Sequence, residues 1–421
     1  MTTTGWNQHR GALALGGIFV LAAIGAEAQT YRNLHGFTGS RGGDDGCSRT
    51  QVIRDPTTGN LYGTTQSCGV GWGTVFMLDK TGRETVLYNF TRGADGALPV
   101  AGVIRDSAGN LYGTTEEGGD LTCSIGGTVG CGVVFKLDTT GTETVLYRFT
   151  GGAAGGLPFA GLVRDSAGNL YGTTVQGGDL SGCTGYGCGV VFKLDITGME
   201  TVLYTFTGRA DGGNPQAGLI RDSTGNLYGT TTAGGTVTGS GTLCEDGCGV
   251  VYKVDTTGRE TVLHTFTGEA DGAVPDAGVI RDSTGNLYGT TELGGAGRGV
   301  VFKVDTNGTE TVLYAFTGGT DGGTPEAAGV IWDSASNLYG TTAFGGDLSC
   351  NPPYGCGVVF KLDTAGTETV LYTFRGETDG RYPSTGVIRD PAGHLYGTTQ
   401  DGGSEYGCAR QSCGVVFKLK P

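Results

Sequence analysis

The chain is poor in the residues that most enzyme chemistry needs. Its 421 residues include four histidines, three methionines and three tryptophans, and only 16% are charged. Beyond the first 28 residues the histidines are His35, His264 and His394, each replacing a repeat residue on its own. None has a nucleophile and acid arranged around it in sequence, so no catalytic triad can be drawn. Positive charge is scarce as well: 27 Lys and Arg stand against 41 Asp and Glu, a net charge of −14. That balance excludes nucleic acid and anionic lipid as natural partners. After residue 28 no apolar run could span a bilayer, and no window carries a helical period.

Glycine is abundant: 85 residues, placed at fixed positions of a repeat. The phrase Leu-Tyr-Gly-Thr-Thr occurs seven times, with tyrosines at Tyr62, Tyr112, Tyr171, Tyr228, Tyr288, Tyr339 and Tyr396, at intervals of 50, 59, 57, 60, 51 and 57 residues. In the second repeat, Gly102–Asp106, Leu111–Thr115, Gly132–Asp138 and Glu143–Phe149 read as strands a, b, c and d. They are rich in Val, Ile, Tyr, Phe and Thr, and Ser-Ala-Gly-Asn and Thr-Thr-Gly-Thr turns separate them. Four antiparallel strands repeated seven times predict an all-β, seven-bladed β-propeller. The seventh repeat stops after strand c, Gly414–Lys420, while Tyr31–Gly39 reads as an orphan strand d. The N-terminal strand is therefore expected to complete the last blade and close the ring, which removes open sheet edges.

Residues 1–28 read as a secretory signal peptide, with a weakly basic start, an apolar stretch Gly11–Ile24 and the small-x-small site Ala26-Glu27-Ala28. Residues 29–421 form the propeller. Export predicts oxidised cysteines. Five pairs fall in b–c loops: Cys123/Cys131, Cys183/Cys188, Cys244/Cys248, Cys350/Cys356 and Cys408/Cys413; Cys47 and Cys68 are the remaining two and are expected to pair. Of the two shortest b–c loops, Glu292–Arg298 of the fifth repeat has no cysteine and Gln66–Trp72 of the first has Cys68 alone. Staples closed within one loop therefore go with the longer loops, each worth roughly 2 kcal/mol or less because small rings remove little chain entropy. Zinc is the rival use of paired cysteines, but the pairs lie in separate repeats.

The whole unit, Gly-Val-Val-Phe-Lys-Leu-Asp, Thr-Gly-x-Glu-Thr-Val-Leu-Tyr-x-Phe-Thr-Gly, Asp-Gly-x-x-Pro and Gly-Val-Ile-Arg-Asp-Ser-x-Gly-Asn-Leu-Tyr-Gly-Thr-Thr, resembles the GloVer tandem repeats, a bacterial family named for Gloeobacter and Verrucomicrobia. The resemblance covers about residues 31–421. It implies an exported protein, with a C-terminal surface anchor in some members and no catalytic residue to carry over. This chain ends at Pro421 without an anchor segment, so an extracellular or periplasmic location is expected beside the cell surface. The Asp-x-x-Gly-Asn-Leu-Tyr turn is also similar to turns of NHL-type and lyase-type propellers, a likeness of fold.

Antiparallel order puts d–a and b–c loops on one face and a–b and c–d turns on the other. The second face carries uniform turns, while the first carries every long, variable, stapled loop, so the first is the expected recognition face. Its aromatic candidates are Trp72, Tyr186, Phe344, Tyr354 and Tyr406, able to stack on a ligand or to pack the loops themselves. Asp95, Asp211, Asp271, Asp321 and Asp379 repeat before a glycine in the d–a loops and are calcium candidates; the plainer role is turn building. The strand-a arginines either line the axis or pair with carboxylates. The functional expectation is a monomeric binding module at the envelope or outside the cell, for glycan, peptide or envelope protein. The alternatives are an extracellular propeller enzyme, a polysaccharide or lactone lyase or hydrolase, and a purely structural surface protein.

Overall fold

The structure, a computed structural model, describes residues 1–2, 29–38, 47–48, 50–67, 71–235, 244–327, 329–403 and 413–421. The expected signal peptide lies almost wholly in residues 3–28, outside the described residues. Seven antiparallel sheets follow one another around a ring. In the second blade the order is a (Ile104–Arg105), b (Leu111–Thr115), c (Val133–Leu137) and d (Glu143–Arg148). Strand a is shorter than its apolar run suggested, two residues in every blade. The first sheet gains a fifth strand, Cys47–Ser48, paired with Leu61–Ser67.

Each letter of the repeated pentapeptide has its own cause, seen in the second blade. Leu111 is core. The Tyr112 hydroxyl donates to Asp106 Oδ2 at 3.0 Å, fastening the a–b turn. Gly113 lies under Phe135 of strand c, where a Cβ would stand 2.7 Å from Cζ. The Thr114 hydroxyl donates to the Ala160 carbonyl of the next blade at 2.9 Å. Thr115 Oγ1 donates to the Glu117 carbonyl at 2.9 Å and accepts the Val133 N–H at 3.3 Å, fixing the base of the b–c loop. A β-branched hydroxyl residue suits both strand geometry and these buried bonds.

The ring closes as expected. Strand Thr30–Gly36 pairs with Val415–Lys420 as the outermost strand of the seventh blade. Between blades, the aromatic residue ending each strand d meets that of the next strand c edge to face. The pairs are Phe90–Phe135, Phe149–Phe192, Phe206–Tyr252, Phe266–Phe302, Phe316–Phe360 and Phe374–Phe417, at 5.0–5.3 Å. Phe37–Phe76, at 5.3 Å, is the pair across the closure. The Thr398 hydroxyl donates to the Thr50 carbonyl across the same seam at 2.9 Å. Side chains of strand a from four successive blades line one cavity of about 480 Å³, which places strand a at the axis.

Candidate functional site

Hydrogen bonds between loops confirm how the faces are sorted. The d–a segment before blade 2 bridges its b–c loop at Ala97 and Glu117, and the Gly119 N–H donates to the Gly93 carbonyl at 2.9 Å. Equivalent bridges join Gly156 to Gln176, Gly213 to Ala233, Ala273 to Leu293, Gly323 to Phe344 and Arg381 to Asp401. The variable loops therefore stand on a shared collar of backbone pairing. Four of the expected staples are present: Cys123–Cys131, Cys183–Cys188, Cys244–Cys248 and Cys350–Cys356. Cys47 and Cys413 are also disulfide-bonded, and no described cysteine is free. Their expected partners, Cys68 and Cys408, lie outside the described residues, as does Tyr406.

The d–a aspartates serve their own turns. Asp95 accepts the Thr91 N–H at 2.9 Å, the Tyr88 hydroxyl at 3.1 Å and the Thr91 hydroxyl at 2.5 Å. Asp211 and Asp321 repeat this with Tyr204 and Thr207, and with Tyr314 and Thr317. Asp379 takes the Tyr372 hydroxyl and the Arg375 N–H. At Asp271 a histidine replaces the tyrosine, His264 Nε2 standing 3.5 Å from Oδ2. Among the described residues no three His, Cys, Asp or Glu side chains converge on a metal position. His394 Nδ1 is 2.9 Å from Asp390 Oδ2 in an a–b turn, and His35 lies 3.8 Å from Glu84; the three histidines occupy three separate places.

The aromatic candidates divide. Trp72 is half-buried with the Arg92 guanidinium 4.0 Å above its ring, and Arg92 is held by Glu117 at 2.9 Å. Phe344 and Tyr354 come together, 5.8 Å apart, with Tyr382 of the next d–a loop 5.4 Å from Phe344. The sequence pattern did not single out Tyr382, because it stands at the variable position before the proline of Asp-Gly-x-x-Pro, where Leu98, Asn214, Val274 and Thr324 stand in other repeats; the Asn351 amide donates to its hydroxyl. Tyr186 is exposed and walls a notch of about 370 Å³ between the loops of blades 2 and 3, beside Leu180 and Ile125.

The model of the Gloeobacter/Verrucomicrobia repeat matches residues 3–179, 120–245 and 243–421. The chain belongs to that repeat family. No curated protein matches it in sequence. Among solved structures it is similar to a luciferin-regenerating enzyme (12% identity, 94% of this chain and 96% of that one, TM-score 0.43). It is also similar to a gluconolactonase from Xanthomonas campestris (15% identity, 74% and 82%, TM-score 0.38).

In this member of the Gloeobacter/Verrucomicrobia repeat family the exposed large apolar side chains are unevenly placed. Leu121, Val129, Leu180, Tyr186, Leu348 and Tyr354 are all exposed and sit on the stapled b–c loops of blades 2, 3 and 6; apart from Met1, the other exposed large apolar side chains among the described residues are Ile196 and Met199, in the c–d turn of blade 3, and Trp332 on strand a of blade 6. Leu121, Leu180 and Leu348 follow equivalent Gly-Gly-Asp triplets, so three loops offer the same apolar tip. The aspartates before them hold the tips in place: Asp120, Asp179 and Asp347 each accept from the backbone N–H and hydroxyl two residues on, at 2.6–3.0 Å.

The turn face is built on the strand-a arginines. Arg105, Arg164, Arg221, Arg281 and Arg389 lie 5.5–5.9 Å over Tyr62, Tyr112, Tyr171, Tyr228 and Tyr339 of the preceding blade. The partner is thus mainly a tyrosine ring rather than a carboxylate, with Arg105 alone also 3.3 Å from Asp55 among the described ion pairs. Arg221, Arg281 and Arg389 line the axial cavity as well.

Proposed function

We propose that this chain is an exported interaction module that holds a protein or peptide partner on its stapled b–c loops. The concentration of exposed apolar side chains on the disulfide-restrained loops of blades 2, 3 and 6 carries this reading. An exposed leucine is apolar surface held in water, and its burial in a complex is worth about 1.5–3 kcal/mol. Small disulfide rings and aspartate-fixed tips lower the ordering cost of binding. Tyr186 and Tyr354 add aromatic anchors with a polar end, the type enriched where proteins meet. Leucine tips favour a polypeptide over a glycan, whose hydroxyls need polar partners. The disulfides suit an oxidising compartment outside the cytoplasm.

The test compares residues 29–421 with the variant Leu121→Ser/Leu180→Ser/Leu348→Ser. Both are immobilised and offered the extracellular and envelope proteins of the source cell, with a glycan array in parallel. Wild type is expected to retain a protein that the variant loses at least about tenfold, at unchanged melting temperature. Equal retention by both chains, or glycan binding that survives the substitutions, would reject the reading.

A further inference from the structure

The sixth blade breaks the repeat at two positions at once. Trp332 replaces the strand-a arginine, and Ser336, at φ 64°, replaces the a–b turn glycine. The other blades explain the coupling. In each, the guanidinium that lies over the neighbouring tyrosine also presses on its own turn. A Cβ on Gly59, Gly109, Gly168, Gly225, Gly285 or Gly393 would stand 2.9–3.0 Å from Nη2 of Arg54, Arg105, Arg164, Arg221, Arg281 or Arg389. The sites of Arg105, Arg164, Arg221, Arg281 and Arg389 therefore store a cation between a tyrosine ring and a glycine. Without the guanidinium the turn tolerates a side chain, and serine stands there.

Between blades 5 and 6 the replacement opens a notch of about 510 Å³ on the turn face. Its walls include Trp332, Tyr288, Asp282, Asp333, Asp363 and Lys303. The indole meets the Tyr288 ring edge to face at 5.7 Å and remains partly exposed. Three carboxylates face one ammonium, so the notch is net negative. Lys303 Nζ lies 5.8 Å over Tyr288, as Lys418 Nζ lies 5.4 Å over Tyr396, on the ring that arginine covers at Tyr62, Tyr112, Tyr171, Tyr228 and Tyr339. The turn N–H groups of Ala365 and Thr367 both donate to Asp363 Oδ1, which fixes this carboxylate in the wall of the notch.

We propose that this notch binds an organic cation, a guanidinium or alkylammonium group, in the place that a strand-a arginine holds at the other interblade sites. Indole is the strongest aromatic partner for a cation, and the carboxylates add charge attraction. A neutral saccharide would use the indole face but gain nothing from the net charge.

Isothermal titration of residues 29–421 tests this, with agmatine, choline, an end-blocked Gly-Arg-Gly peptide and a set of neutral saccharides as probes. The cations are expected to bind and to weaken with added salt. A peptide at least about tenfold tighter than agmatine would identify an arginine side chain as the ligand, and parity would identify a free amine. Trp332→Arg/Ser336→Gly restores the arrangement of the other blades, so it should fold as well as wild type and bind agmatine at least about tenfold less tightly. Lys303→Gln, which removes the competing ammonium, should tighten it about threefold or more. Leu121→Ser/Leu180→Ser/Leu348→Ser on the opposite face should leave it unchanged, which separates this site from the partner-binding loops. Cations that fail to bind, binding that persists in the double variant, or saccharides binding in their place would overturn the assignment.

Discussion

Phe37→Ala is expected to destabilise the protein by about 3–5 kcal/mol, as much as Phe206→Ala in the middle of the chain. Phe37 is fully buried, meets Phe76 edge to face at 5.3 Å and follows the strand that completes the seventh blade. A residue in the first strand of a fold ordinarily frays at little cost. Here its surroundings are those of an interior residue, because the ring has no free end. Phe206 meets Tyr252 at 5.0 Å in the same geometry. Urea unfolding of both variants checks the equality. A Phe37→Ala cost below about 1 kcal/mol beside a full cost for Phe206→Ala would mean that the N-terminal strand is not the clasp. Removal of residues 29–38 should go further, because it also breaks the Tyr31–Tyr372 stack at 4.2 Å and exposes a whole sheet edge. That chain is expected to lose cooperative unfolding and to aggregate.

The second large effect is on pH. The glutamate that opens strand d leans toward the preceding blade. Oε1 of Glu143, Glu200, Glu260, Glu310 and Glu368 is buried with no hydrogen-bond partner. Burial first, and then Asp95, Asp211 and Asp321 of the preceding blade, pushes the carboxyls of Glu143, Glu260 and Glu368 up to about 7. Burial raises Glu200 and Glu310 too. A carboxyl whose pKa is raised by folding binds a proton more tightly in the native state. Its contribution is complete below the unfolded value near 4.5 and is lost as pH rises through about 7. The a–b turn aspartates act in the opposite sense. Burial alone would raise Asp282 and Asp333, but donors from Thr284, Asn286, Asn337 and Tyr339 outweigh it and hold both at about 2. Their contribution is present above about 4 and is lost as pH falls toward about 2. Stability should therefore peak near pH 4–5 and fall by a few kcal/mol toward pH 8, a figure already reduced for the partial exposure of these glutamates. Denaturant unfolding across that range checks it. Glu143→Gln/Glu260→Gln/Glu368→Gln should flatten the neutral arm, and a wild type most stable at pH 7–8 would contradict the assignment.

Much of the architecture is legible in the sequence because one five-residue phrase repeats with its turns. Leu111-Tyr112-Gly113-Thr114-Thr115 uses each side chain for a different neighbour, so the phrase cannot drift without loss. The closure is legible from Tyr31–Gly39, which matches the other d strands. The site is less so. The partner of Arg164 is Tyr112 of the preceding blade, and nothing in local pattern announces a contact across half a hundred residues. Trp332 and Ser336 are both visible as departures from the repeat. Their connection becomes visible only once the guanidinium of Arg105 is seen to lie against Gly109. The exposure of Leu121, Leu180 and Leu348 is likewise a property of loops projecting from a collar, and a leucine before a staple reads equally well as loop core.

A loop graft tests most directly whether the stapled loops serve recognition rather than folding. The b–c loop of blade 5, residues 292–299, is short, lacks cysteine and joins the same two strands. Placed in blades 2, 3 and 6 in exchange for residues 116–132, 175–189 and 343–357, it leaves the strands and the interblade aromatic ring untouched. The grafted chain is expected to keep the wild-type circular dichroism and cooperative unfolding while losing the captured protein partner. Partner binding retained with all three loops exchanged would contradict the proposal.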